Sequence, residues 1–261
     1  YLDSIKRMAK YPDFVNAVNY NPFIIRMQLE DLITRFGALI HHNYELAYKG
    51  SAKIFLQKEM ESHQNPDDDF IRDFENEFKK CANLAFSVFG KHAFKRYIIS
   101  KDGNSAKWDT KPNKALFEAI MYGFAKYNKN QIMNHKDQIY EGLVMLMTLD
   151  EKFNDLISHH TNAKDRFLER MEIWNNELDK IVTTPRQPRC FSYKIKKDLY
   201  EKKDICNLCS QQIIDIKDAA VDHQEPYWRG GLTIPENAQL AHRWCNLKKS
   251  GKTKFFLIDH S

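Results

Sequence analysis

Hydrophobic positions across residues 1–183 recur at steps of three and four, the period of helices that each turn one face to a core. A helix is under way from the first residues. Asn21-Pro22 marks another start, with proline in the first turn where its missing N–H costs nothing. The segment behind it carries Ile25, Leu29, Leu32, Phe36, Leu39 and Ile40 at core-facing spacing. Asp67, Asp68 and Asp69 open a third helix, with Phe70, Phe74, Phe78, Cys81, Ala85 and Val88 along one side. Acidic groups at that end favour the helix dipole, which accounts for the triplet without a metal. Lys101–Pro112, holding Gly103 and Asn104, is a turn-rich break, after which Asn113 caps a helix through Leu116, Phe117, Ile120 and Phe124.

Two more helices are expected, over about 135–149 and about 162–182. In the second, Phe167, Met171, Trp174, Leu178 and Ile181 form a stripe. So short a stripe either pairs with a partner helix or fills the chain's own core, the second being the commoner use. The histidine pairs His41-His42 and His159-His160 sit in helical stretches with no ligand-type residue at metal spacing, and read as surface or interface residues.

The helical pattern stops at Thr183–Arg189, which has two prolines and no apolar side chain. The expected organisation is therefore a helical bundle domain over 1–183, a linker over 184–189 and a small domain over 190–261. Charge divides at the same point. Residues 1–183 hold 26 basic and 26 acidic side chains, whereas 184–261 hold 14 against 9, so the net +5 of the chain lies in the small domain. Such a balance points to a polyanionic partner.

The small domain contains two ligand pairs of the same spacing, Cys206-x-x-Cys209 and His242-x-x-Cys245. A two-residue gap lets both side chains of a pair converge on one ion, and three thiolates with one imidazole make a closed tetrahedral zinc site. A domain this small has little core, so the metal would supply much of its folding energy. Cys190 falls outside the pairs and is left without a role.

Between the pairs, an apolar run (Ala219, Ala220, Val221) leads into Asp222-His223, followed by Pro226, Gly230-Gly231 and Asn237. Asn246 stands directly behind the last zinc ligand, with lysines after it. This arrangement resembles the HNH, or ββα-metal, endonucleases over roughly the last quarter of the chain. Histidine replaces the first cysteine of a second C-x-x-C found in many relatives, an ordinary exchange for zinc. The resemblance implies a DNA-cleaving enzyme. His223 would be the general base, Asp222 and Asn246 would hold a catalytic Mg2+ or Mn2+, and Asn237 would tie down the loop bearing the histidine. Neighbours on a regular strand point to opposite faces, so for Asp222 and His223 to serve one site the strand is expected to end or bend between them. Arg243, Lys248, Lys249, Lys252 and Lys254 follow the motif and would face a phosphate backbone, giving affinity without base preference.

Residues 24–40 and 113–124 also resemble the helical region of GmrSD-like phage-defence restriction proteins. These place a nucleotide-hydrolysing domain before the helices and an HNH nuclease after them. With no initiating methionine and no such first domain, the chain is expected to be the C-terminal fragment of such an effector. The helical part would then be regulatory, open to a second copy or a partner protein. Two other classes remain open: a zinc-dependent nucleic-acid-binding module without cleavage, and an interaction platform. No run of 18 uncharged apolar residues exists, nothing resembles a signal peptide, and five cysteines with four at metal spacing suit a reducing compartment. A membrane is therefore not an expected partner, and the cytoplasm is the expected location.

Overall fold

In a computed structural model the chain is mainly helical, with two small two-stranded sheets. The structure describes residues 1–21, 28–100, 105–183, 190–227 and 231–249. The expected start at Asn21-Pro22 with Ile25, the turn residues Gly103 and Asn104, the linker 184–189, Gly230, and Lys252 and Lys254 fall wholly or partly outside these. Two compact units are present, Tyr1–Ile98 with Trp108–Thr183, and Ile99–Lys107 with Thr184–Ser261.

The first unit opens with α1 (Leu2–Met8) and α2 (Pro12–Val18). It continues through α3 (Gln28–His41), α4 (Tyr44–Ala47), α5 (Ala52–Ser62) and α6 (Asp68–Phe89). After a short hairpin come α7 (Lys114–Ala125), α8 (Lys129–Asn134), α9 (Lys136–Leu149), α10 (Glu151–Ser158) and α11 (Lys164–Thr183). Side-chain caps set several starts. Asp67 accepts from the Phe70 amide at 2.7 Å and Asn113 from the Leu116 amide at 2.9 Å, satisfying N–H groups that have no partner inside the helix.

Helix α7 lies at the centre. Nine of its twelve residues are buried, so it has no polar face and must be covered on all sides. Helices α3, α6 and α11 provide that cover. The stripe on α11 is thus spent within the chain. A Cβ at Gly123 of α7 would meet Trp174 Nε1 at 2.6 Å, so the glycine is what admits the indole. Phe14, Phe36, Phe78 and Phe117 meet in tilted and edge-on contacts with centroids 5.0–6.0 Å apart.

Two expectations are corrected. Helix does not run throughout 1–183: β1 (Tyr97–Ile99) and β2 (Ala106–Trp108) pair within the stretch read partly as a break. The Trp108 ring stacks on His92 at 4.6 Å, packing that leaves no periodic trace in sequence. The pair His41-His42 is not a surface feature. Their side chains are 13% and 12% exposed and both face Glu59, which is fully buried.

A chain of ions ties three helices together. Asp31 receives Arg35 at 2.9 Å and Lys114 at 2.8 Å, while Glu118 on α7 receives Arg35 of α3 at 2.6 Å and Arg170 of α11. Glu118 and Arg170 are 7% and 1% exposed, so removing one partner strands a buried charge. Glu118→Ala should therefore lower unfolding free energy by about 3–5 kcal/mol in urea titration. Burial opposes ionisation of Asp31, but Arg35 and Lys114 hold its carboxyl below the usual range. Its stabilisation is then present above the unfolded value near ~3.9 and lost as pH falls through the folded value. Between about pH 6 and about pH 3 the urea midpoint of Asp31→Asn should fall less than that of the parent chain.

Candidate functional site

The second unit is built on a small hairpin and two helices. Helix α12 (Tyr193–Lys202) starts at Ser192, whose hydroxyl accepts from the Ile195 amide. Strands β3 (Ala219–His223) and β4 (Ala238–His242) pair antiparallel, from Ala219 opposite His242 to His223 opposite Ala238. Helix α13 (Arg243–Lys249) follows β4 without a break. Among the described residues the buried cluster is Cys206, Ile213, Ala219, Leu240 and Ala241, with Leu199, Tyr200 and Cys245 against it.

Cys206, Cys209, His242 and Cys245 bring their ligand atoms within 4.8 Å of one another. The Cys209 and Cys245 sulfurs lie 3.3 Å and 4.0 Å from His242 Nδ1. On its far side His242 Nε2 lies 3.2 Å from the Gln212 carbonyl oxygen. A carbonyl can only accept, so Nε2 carries the proton and Nδ1 turns a lone pair to the thiols, as a metal-ligating imidazole must. Burial works against ionising Cys206, but N–H groups of His242, Cys209 and Leu208 donate to its sulfur and hold the thiol down to about 6. Burial and the neighbouring sulfurs push Cys245 up to about 12. Three adjacent thiols cannot all ionise unaided, and a divalent cation removes that conflict. The donor set and the tautomer both fit zinc.

Asp222 and His223 lie on the same hairpin but on opposite faces. The strand is regular through His223, so the expected bend between them does not occur and alternation holds. Asp222 is buried and accepts from Gln239 Nε2 at 2.7 Å, the residue opposite it in register. Lys249 Nζ donates to Asp222 Oδ2 at 2.8 Å and to the carbonyl oxygens of His223 at 2.7 Å and Gln224 at 3.3 Å. His223 faces Phe191, with ring centroids 4.4 Å apart, and Tyr227, while its Nε2 lies 2.9 Å from the Thr233 hydroxyl. Asn246 is half-buried on α13, one turn before Lys249.

Asn237 ties the loop after β3. Its Oδ1 accepts from the Glu225 amide at 2.8 Å, and its Nδ2 donates to the Glu225 and Leu232 carbonyls at 3.1 Å and 2.9 Å. Gly231 lies in the same crossing. A Cβ there would sit 1.9 Å from the Glu225 oxygen, so no other residue fits without moving the loop.

One basic residue is corrected. Arg243 is 1% exposed and donates to the carbonyls of Lys217 and Ala219, so it joins α13 to β3 rather than facing phosphate. Lys248 is exposed on the same helix. Sequence reasoning missed Gln212, Thr233 and Gln239. Of these only Gln239 had a findable signal, since pairing the two apolar runs through their ends sets it opposite Asp222.

Residues 206–252 match the family model for HNH endonucleases. No curated protein and no solved structure matches the chain. The HNH segment runs from the first ligand of the tetrad to beyond α13, and so takes in the tetrad, Asp222, His223, Asn237 and Asn246 but neither Phe191 nor α12. No helix among the described residues is long and apolar enough to cross a membrane.

Because the buried cluster is so small, the metal should carry this unit's stability. Cys206→Ser should remove one zinc per chain and abolish amide-exchange protection over β3, β4 and α13 while α7 stays protected. An unchanged exchange pattern after zinc loss would count against a structural site.

Proposed function

We propose that the HNH segment hydrolyses phosphodiester bonds in DNA, with His223 as the general base. The observation that carries this is the joining of the tetrad to the Asp222–His223 pair by one strand register: the clasp holds the Ala219–His242 end, and the register carries that order to Asp222 and His223. His223 takes a proton from water as the oxygen bonds to phosphorus, and the bond to the 3′ oxygen breaks as that oxygen takes up a proton. An imidazole titrates near neutrality and can do this at physiological pH. Contacts from Thr233, Phe191 and Tyr227 fix the ring. Because Asp222 and His223 point to opposite faces, one phosphate served by both would have to lie beyond the end of β3.

A bound Mg2+ or Mn2+ would offset charge on the phosphoryl oxygen and the departing 3′ oxygen. Asp222 and Asn246 would hold it, and their oxygen donors suit a hard ion. The ammonium of Lys249 already sits among three oxygens, one of them from Asp222, which marks this place as cation-seeking. A divalent ion at Asp222 has to displace that ammonium. Lys248, Lys252 and Lys254 would contact the DNA backbone.

The same contact favours a second reading, a zinc-stapled nucleic-acid binder in which Lys249 permanently satisfies Asp222. The wider role, effector part of a phage-defence or restriction protein, rests on the likeness of 24–40 and 113–124 to the helical region of GmrSD-like proteins. A plasmid-nicking assay with Mg2+ or Mn2+ separates the two readings. The full chain should convert supercoiled to open-circular or linear plasmid. His223→Ala should lower the rate by about 100-fold or more with zinc content unchanged, the scale of a lost general base. Retarded but uncut plasmid across all metals would establish the binder instead.

A further inference from the structure

A second cluster of metal-ligand side chains lies in the helical unit. His41, on the last turn of α3, and Glu59 and His63, on and just after α5, bring Nδ1, a carboxylate oxygen and Nδ1 within 4.8 Å of one another. His41 Nδ1 is 2.7 Å from Glu59 Oε1, and His63 Nδ1 is 3.4 Å from Oε2. His42 Nε2 approaches Oε2 from another side at 2.9 Å, and Tyr1 donates its hydroxyl to Oε1. Three imidazoles and a phenol are thus aimed at one carboxylate that is 0% exposed.

Protons hold the cluster together at present: His41 Nδ1 and the Tyr1 hydroxyl meet Oε1, His42 Nε2 meets Oε2, and His63 Nδ1 also lies 3.0 Å from the Glu59 backbone carbonyl. A divalent ion could take the place of those protons among the same buried donors. The spacing is built by two packed helices. Gly37 and His41 are one turn apart on α3, and Glu59 and His63 are one turn apart along α5, so each pair shares a face. A Cβ at Gly37 would stand 2.7 Å from Glu59 Oε1, so this glycine is the gap through which the carboxylate enters. Phe70 lies against the rings of both His41 and His63, with centroids 4.6 Å and 4.5 Å apart, and fixes their planes.

We propose that His41, Glu59 and His63, with His42 beside them, form a second metal site that takes a first-row divalent transition ion such as zinc. Two imidazoles and a carboxylate are a donor set for that class, distinct from the sulfur-rich tetrad of the second unit. Binding would release the protons now shared between the imidazoles and Glu59.

The test is metal stoichiometry on the full chain, dialysed against excess Zn2+, desalted, and measured by elemental analysis. The parent chain should retain two zinc ions. Cys206→Ser should retain one, and His63→Ala one, while the double variant retains none. His63 is at the end of α5 with a partly exposed side chain, so its replacement should leave the fold intact, which far-UV circular dichroism checks. Should that variant fail to fold, Glu59→Gln, which keeps the side chain's shape, takes its place with the same expectation. Cobalt gives a second readout: the Cys206→Ser chain should bind one Co2+ without thiolate charge-transfer absorption. One zinc in the parent chain, lost on Cys206→Ser alone, would overturn the proposal. So would two that survive both His63→Ala and Glu59→Gln.

Discussion

Closure of the four-ligand clasp is the constraint on which the second unit depends. Among the described residues its buried cluster is five, two of them alanine in addition to the ligand Cys206. A core of small residues offsets little of the ordering of the chain around it. The clasp acts through the backbone as well as the side chains. The His242 amide donates to the Cys206 sulfur, and the Asn207 amide donates to the Leu240 carbonyl at 2.8 Å. The first knuckle is thereby stitched to β4. Since β4 pairs with β3 in a single register, the knuckle also determines which way Asp222 and His223 face.

The other end of the clasp orients α13. His242 ends β4 and Cys245 lies on the first turn of α13, so one ion would bind both strand and helix. Buried Arg243 reinforces the joint by donating to carbonyls at the start of β3. Asn246 and Lys249 are then carried on one helical face, and Lys249 reaches the end of β3. The loop beyond is closed separately, by the three hydrogen bonds of Asn237 and the close passage of Gly231. Metal clasp and amide clasp thus secure opposite ends of the same hairpin.

What could be read from sequence was what is local in the chain. Asp67 and Asn113 announce helix starts because each cap bonds an amide only three residues ahead. The two ligand pairs stand out for the same reason, since each is one short turn. Helix α12 passed unnoticed because none of its residues is fully buried and its polar surface hides the period. Three-residue strands such as β1 and β2 are too short to show alternation at all. Arg243 was misplaced because a basic residue beside a metal motif looks like part of a surface patch, and only the turn from strand to helix sends it inward. His41 and His42 were misjudged for want of a carboxylate nearby, because theirs, Glu59, is far along the chain and arrives through helix packing.

The two ligand clusters differ in how the protein would tolerate them empty. In the tetrad, backbone N–H groups hold the Cys206 thiol down to about 6 while burial and the neighbouring sulfurs push Cys245 up to about 12, so gathering all three as thiolates calls for a cation. Around Glu59 the imidazoles and the Tyr1 phenol can donate to the carboxylate, so charge is largely balanced without an ion. An ion there adds to a helical unit that already has a large aromatic and aliphatic core. An ion in the sulfur site would therefore bear on the folding of the second unit, whereas one at the histidine cluster would come and go with the supply of metal.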